Sequence, residues 1–149
     1  MDQSLPCSEQ SARIGEPIAG SATANVDVWL LIENRDRWGR DVVSTPMPES
    51  LQRWLERVGS RYKRVRVQLI RRDSASLQRG PDSSELTFIF ARTRPVRQVY
   101  RFGLANLEAL TELDIDALMT EPDAAAALGG EPLDSVFLVC THGRRDRCC

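Results

Sequence analysis

The sequence predicts an α/β or α+β chain, a mixed sheet flanked by helices. Three observations carry this expectation. Val28-Trp29-Leu30-Leu31-Ile32 is an unbroken β-branched, aromatic and aliphatic run followed by the polar Asn34-Arg35-Asp36, the pattern of a buried strand. Leu51, Trp54, Leu55 and Val58 recur at i, i+3, i+4 and i+7, one apolar stripe of a helix. Strand-like and helix-like stretches then follow in the order β, α, β, β, β, α, α, β.

Each element has its own local reason. Residues 1–25 are rich in Ser, Ala and Gly and lack periodicity, so they read as an extended lead-in with a turn at Gly15-Glu16-Pro17. The first strand runs from Val26 to Ile32 and Glu33 closes it; a loop follows from Trp38-Gly39 to Pro46 and Pro48. Pro48 suits the first position of the helix, Glu49 favours its positive end, and Gly59 is expected to stop it. Val65, Val67 and Leu69 alternate with Arg64, Arg66 and Gln68, the period-two signature of a half-buried strand. After a polar loop, Leu86 to Ala91 reads as a strand, and Thr93-Arg94-Pro95 turns it into a second one from Val96 to Phe102. Gly103 is expected to break that strand, and Leu104, Leu107, Leu110 and Leu113 return to helical spacing. Asp114 can cap a short helix through Leu118, and Glu121-Pro122-Asp123 opens an alanine-rich turn ended by Gly129-Gly130. A final buried strand is expected over Ser135-Val136-Phe137-Leu138-Val139-Cys140. The two glycines suggest a boundary between a body of residues 1–130 and a segment of residues 131–149.

Composition narrows the function. The 149 residues include 20 basic and 21 acidic side chains, a net charge of −1, which argues against a nucleic-acid partner. Trp29, Trp38 and Trp54 read as core residues, because basic residues do not interleave with them as a stacking platform would require. The longest apolar runs fall far short of the roughly 20 residues of a membrane span. The start of the chain lacks the basic and apolar regions of a secretory signal. A reducing, cytoplasmic setting is therefore expected, where cysteines act as ligands, reactive thiols or buried filler. All the basic residues but Lys63 are arginine, which reads as the codon bias of a GC-rich genome.

The chemistry is concentrated at the end of the chain. Of the four cysteines, Cys7 stands alone, while Cys140, Cys148 and Cys149 lie together with the sole histidine, His142. The segment leaves the carboxyl end of an expected strand, where open α/β sheets place their ligand sites. A thioredoxin-type redox pair needs Cys-x-x-Cys, which is absent. A phosphatase-like Cys-x5-Arg loop fails because Asp146 occupies the arginine position. A Cys140–His142 nucleophile pair is conceivable. A closed zinc site from Cys140, His142, Cys148 and Cys149 has suitable ligand types but an awkwardly short span. The remaining reading is an iron or cluster site shared with residues outside this set. Eight residues separate Cys140 from Cys149, enough for a loop to bring both thiolates to one iron. Arg144, Arg145 and Arg147 read as a solvated loop, with attraction of an anionic partner as the alternative. No catalytic constellation is found.

The stretch Val139-Cys140-Thr141-His142-Gly143-Arg144-Arg145-Asp146-Arg147-Cys148-Cys149 resembles the signature of the sucrase/ferredoxin-like family, the thioredoxin-like [2Fe-2S] ferredoxins. Cys7-Ser8 with Glu16-Pro17-Ile18-Ala19-Gly20-Ser21-Ala22 resembles the family's amino-terminal pattern. Trp29-Leu30-Leu31-Ile32-Glu33 with Trp38-Gly39 is similar to its first strand and loop. The resemblance implies a [2Fe-2S] electron carrier with two cysteine and two histidine ligands and a redox protein as partner. Its Cys-x8-Cys pair falls on Cys140 and Cys149, with His142 and Cys148 as lesser candidates for the metal. Its histidines come from a later His-x3-His segment that this sequence does not contain. The expectation is thus a truncated form: a body of residues 1–130, and in residues 131–149 the first strand and cysteine loop of a thioredoxin-like ferredoxin domain, with the cluster absent or incomplete. An isolated final strand with free thiols invites a homodimer through the carboxyl-terminal end. The alternative is a cofactor-free binding or interaction module of the same fold.

Overall fold

A computed structural model of the chain describes residues 13, 25–39, 42–72 and 84–138. Val26–Asp134 forms one compact unit, and residues 1–25 with 135–149 are divided from it. Within the body, β1 (Val28–Glu33), α1 (Glu49–Arg61), β2 (Val65–Ile70), β3 (Leu86–Arg92) and β4 (Gln98–Leu104) come first. A 3-10 turn (Glu108–Glu112), α2 (Ile115–Thr120), α3 (Ala124–Ala127) and β5 (Glu131–Pro132) complete it. The sheet order is β2-β1-β3-β4-β5. β1 runs parallel to β2 across the α1 crossover, and the remaining pairings are antiparallel. A mixed five-stranded sheet with a few helices is an α+β fold.

Parity along the strands decides what the helices cover. Val28, Leu30 and Ile32 of β1, Phe88 and Phe90 of β3, and Phe102 and Leu104 of β4 share one face. Leu51, Trp54 and Val58 of α1 pack there, with Leu110, Ile115, Leu118 and Ala125 from the later turns. The described helices therefore lie on one side of the sheet. Trp54 is in this core and Trp38 packs at its margin. Trp29, expected in the core, has the opposite parity and faces away from it, with the Arg66 guanidinium 5.6 Å above its ring. Strand alternation, not aromatic character, sets its side.

Several expected boundaries shift. Pro48 is the N-cap of α1, not its first residue, and the helix passes through Gly59 to Arg61. Glycine weakens a helix interior by only about 1 kcal/mol. The last turn is held from outside: Arg61 pairs with Asp116 at 2.9 Å, and the Tyr62 hydroxyl donates to the same carboxylate. Burial, and then the neighbouring Asp116 carboxylate, push the Tyr62 phenol above its ordinary pKa, so it remains a donor. Gly103 does not break β4 but pairs with Thr87 inside it. A Cβ there would meet only the end of the Glu85 side chain, which can turn aside, so the glycine marks neither a strand end nor a backbone constraint.

The leucine spacing of residues 104–113 does not make an α-helix. Leu104 ends β4, and only the 3-10 turn follows, with Asn106 accepting from the Ala109 N–H at 2.9 Å. That side-chain hydrogen bond offers the backbone an alternative to a continuous helix. Asp114 caps α2 as expected, accepting from the Ala117 N–H at 2.9 Å. The final strand is also displaced. Glu131 and Pro132 pair with β4, so the body extends past Gly129-Gly130, and Ser135–Leu138 are not in a strand. Phe137 is 90% exposed, the reverse of a buried strand residue.

One buried cation ties β3 to α2. Arg92 is 9% exposed and donates to the carbonyls of Leu118 (2.6 Å) and Met119 (3.0 Å) in the last turn of α2. A positive charge is favourable at that end of a helix dipole, and two otherwise orphaned acceptors are satisfied. Replacing Arg92 with Met is expected to cost about 2 kcal/mol in urea unfolding, whereas Arg94→Met, at an exposed site, stays within about 0.5 kcal/mol.

Candidate functional site

The residues singled out from sequence, Cys140 and Cys149 with His142 and Cys148, and Cys7, lie outside the described residues. Among the described residues no group of three or more His, Cys, Asp or Glu side chains could hold a metal ion. None of the described helices is long and apolar enough to cross a membrane.

What the described body does assemble is an arginine–carboxylate cluster at the carboxyl ends of the parallel strands. Glu33 ends β1 with its side chain on the face away from the helices, 1% exposed. Its Oε1 accepts from Arg35 Nε at 3.0 Å, and its Oε2 accepts from Arg72 Nε at 2.8 Å and from the Thr87 N–H at 2.8 Å. Both guanidiniums reach on to the Glu85 carbonyl, at 2.7 Å from Arg35 and 2.8 Å from Arg72. One carboxylate thus joins the end of β1, the residues after β2 and the start of β3. Burial alone would raise the Glu33 pKa, but the hydrogen bonds from Arg35, Thr87 and Arg72 outweigh it and hold the carboxyl below its ordinary value.

A second layer braces the loop that follows β1. The Asn34 Oδ1 accepts from the Asp36 N–H at 2.9 Å, and Trp38 Nε1 donates to the Asn34 carbonyl at 2.9 Å. Arg71 lies 5.4 Å from the Trp38 ring centre and donates to the carbonyls of Arg35 (3.0 Å) and Asp36 (2.7 Å). Gly39 donates to Thr45 Oγ1 at 3.0 Å, and a Cβ on Gly39 would collide with the Ser44 carbonyl oxygen. Only glycine fits there without moving backbone.

Chemically this arrangement is a clamp. A carboxylate held ionised by two guanidiniums is a poor proton donor or acceptor near neutral pH. The Nε atoms of Arg35 and Arg72 are committed to Glu33. Sequence reasoning gave Glu33 only the role of closing a strand. The available signal was an acid at the end of an otherwise apolar strand, because a charge entering a core needs partners. What could not be seen was that Arg72, 39 positions away, is one of them.

The site and sheet define an α+β protein whose parallel strand ends are pinned by a buried ionic cluster. Comparison with family models, with curated proteins and with solved structures finds no match to this chain.

Proposed function

We propose that the chain is a sucrase/ferredoxin-like protein, related to [2Fe-2S] electron carriers, that contributes the cysteine side of a cluster through Cys140 and Cys149. The observation that carries this reading is the Cys-x8-Cys pair inside the segment from Val139 to Cys149. Two thiolates suit one iron of such a cluster, which takes four protein ligands in all. The donor types therefore fit half of the site, and a histidine pair from outside this sequence would complete it. When bound, the cluster supplies one-electron transfer, with imidazole ligation raising its potential above that of an all-cysteine site.

Anaerobic reconstitution with ferrous iron and sulfide tests the proposal. The chain alone is expected to lose its visible absorption on desalting, while excess imidazole, standing in for the two missing donors, preserves it. Because a serine hydroxyl is a much poorer iron ligand than a thiolate, Cys140→Ser and Cys149→Ser should each lower that absorption by about tenfold, and Cys148→Ser should not. Equal spectra for Cys140→Ser, Cys149→Ser and the parent chain would remove the proposal and leave the cofactor-free interaction module.

A further inference from the structure

We propose that the outer edge of β2 docks an acidic, extended peptide segment of a partner protein by strand addition. The inference does not depend on the iron–sulfur reading. β2 is the terminal strand of the sheet. The carbonyls of Arg64 and Ile70 accept from Val28 and Asn34, so the even-numbered residues turn their backbone groups toward β1. In a parallel ladder the alternate residues then point the other way. The N–H and C=O groups of Val65, Val67 and Leu69 form an outward row without a partner strand among the described residues. Their side chains continue the half-buried row on the helix-covered face, while Arg66 and Gln68 stand exposed on the other.

Charge selects the occupant. Residues 62–72 contain Lys63, Arg64, Arg66, Arg71 and Arg72 and no acid. Arg64 is matched by Asp27 and Arg72 by Glu33. Lys63, Arg66 and Arg71 have no carboxylate partner among the described residues. Arg71 is turned to the carbonyls of Arg35 and Asp36, which leaves Lys63 at one end and Arg66 on one face of the strand.

A second copy is a poor occupant. Antiparallel pairing that keeps the two apolar faces aligned must set odd residues opposite odd residues. Centring on Val67 places Lys63 against Arg71 twice. Moving one step toward the amino end places Arg66 against its own copy, and one step the other way sets the apolar Val65 against Arg71. Like charges directly opposite are destabilising. Parallel self-pairing cannot close into a symmetric dimer. An incoming strand with acids on the Arg66 face and at its ends meets none of these penalties. The backbone row supplies affinity, and Lys63 and Arg66 supply selection.

The test uses the intact chain and a blocked heptapeptide alternating valine with glutamate, followed by amide NMR. Shifts are expected at Val65, Val67 and Leu69 and their β1 neighbours. Binding should weaken by about tenfold with Arg66→Glu, with the corresponding valine–lysine peptide, and in about 0.5 M salt. Val67→Pro, which deletes an outward N–H at an edge position that tolerates proline, should have a similar effect. If Val67→Pro fails to fold, Arg66→Glu at its exposed site still decides the matter. Shifts that map elsewhere, no shifts at millimolar peptide, or equal binding of the lysine peptide would overturn the proposal. So would concentration-dependent shifts at the same amides without peptide, which assign the edge to a second copy.

Discussion

Replacing Glu33 with alanine is expected to destabilise the body by about 3 kcal/mol, read as a lowered urea midpoint at unchanged slope. Removing the acid of a buried ionic cluster takes away the acceptor that its donors share, and here Arg35, Arg72 and the Thr87 N–H all lose their bond to the carboxylate. The loss lies toward the low end for such clusters because the Arg35 side chain is 35% exposed and that of Arg72 is 20% exposed, so both can turn partly to water. Glu33→Gln keeps the shape and one acceptor and should cost about 2 kcal/mol. The pH dependence follows from the depressed folded-state pKa. The stabilising contribution is fully present above the ordinary carboxyl value of 4.5 and is lost as pH falls through the lower folded value. The gap between the parent chain and Glu33→Gln should therefore be constant near neutrality and close on acidification below about pH 4.5. A gap that stays constant down to pH 2 would remove the ionised clamp.

Phe88→Ala is expected to cost about 4 kcal/mol, a large part of the roughly 5–15 kcal/mol that holds an ordinary domain together. Phe88 is fully buried in the central strand β3, and its ring packs tilted against Phe102 of β4 with centroids 5.7 Å apart. Its loss removes transfer energy and leaves a cavity between a sheet and helices that cannot both collapse into it. Val43→Ala makes the contrast: Val43 is 88% exposed, and a change within about 0.5 kcal/mol is expected. A Phe88→Ala chain that unfolds within 1 kcal/mol of its parent would show that Phe88 does not anchor the core between the sheet and the helices.

Both predictions depend on contacts made across the sheet, which bears on how far the sequence could be read. β1, α1 and β2 were legible because each announces itself through local periodicity. The apolar run ends near Glu33, the stripe from Leu51 to Val58 fits 3.6 residues per turn, and Val65, Val67 and Leu69 alternate. The Asp114 cap was legible for the same reason, since its hydrogen bond spans three residues. Gly59 and Gly103 were misread as stops because glycine breaks an element only when nothing outside holds it. Asp116 holds the end of α1, and pairing with Thr87 holds β4 through Gly103. The leucines of residues 104–113 were misread because helical spacing is also satisfied by a strand end followed by a 3-10 turn.

From sequence alone came a mixture of strands and helices, α/β or α+β, with the helical stripe, the alternating strand and the cysteine spacing on which the functional proposal rests, since all of these are carried by neighbours within a few residues. Tertiary structure alone decided which face of β1 is covered, and hence why Trp29 is outside the helix-packed core while Glu33 is buried. It also decided that Glu131–Pro132 pairs with β4, and that Arg72, Arg35 and Thr87 converge on one carboxylate. The reason is physical. Periodicity records which residues share a face, but strand order and the long-range partners of a buried charge are settled by packing between segments tens of residues apart.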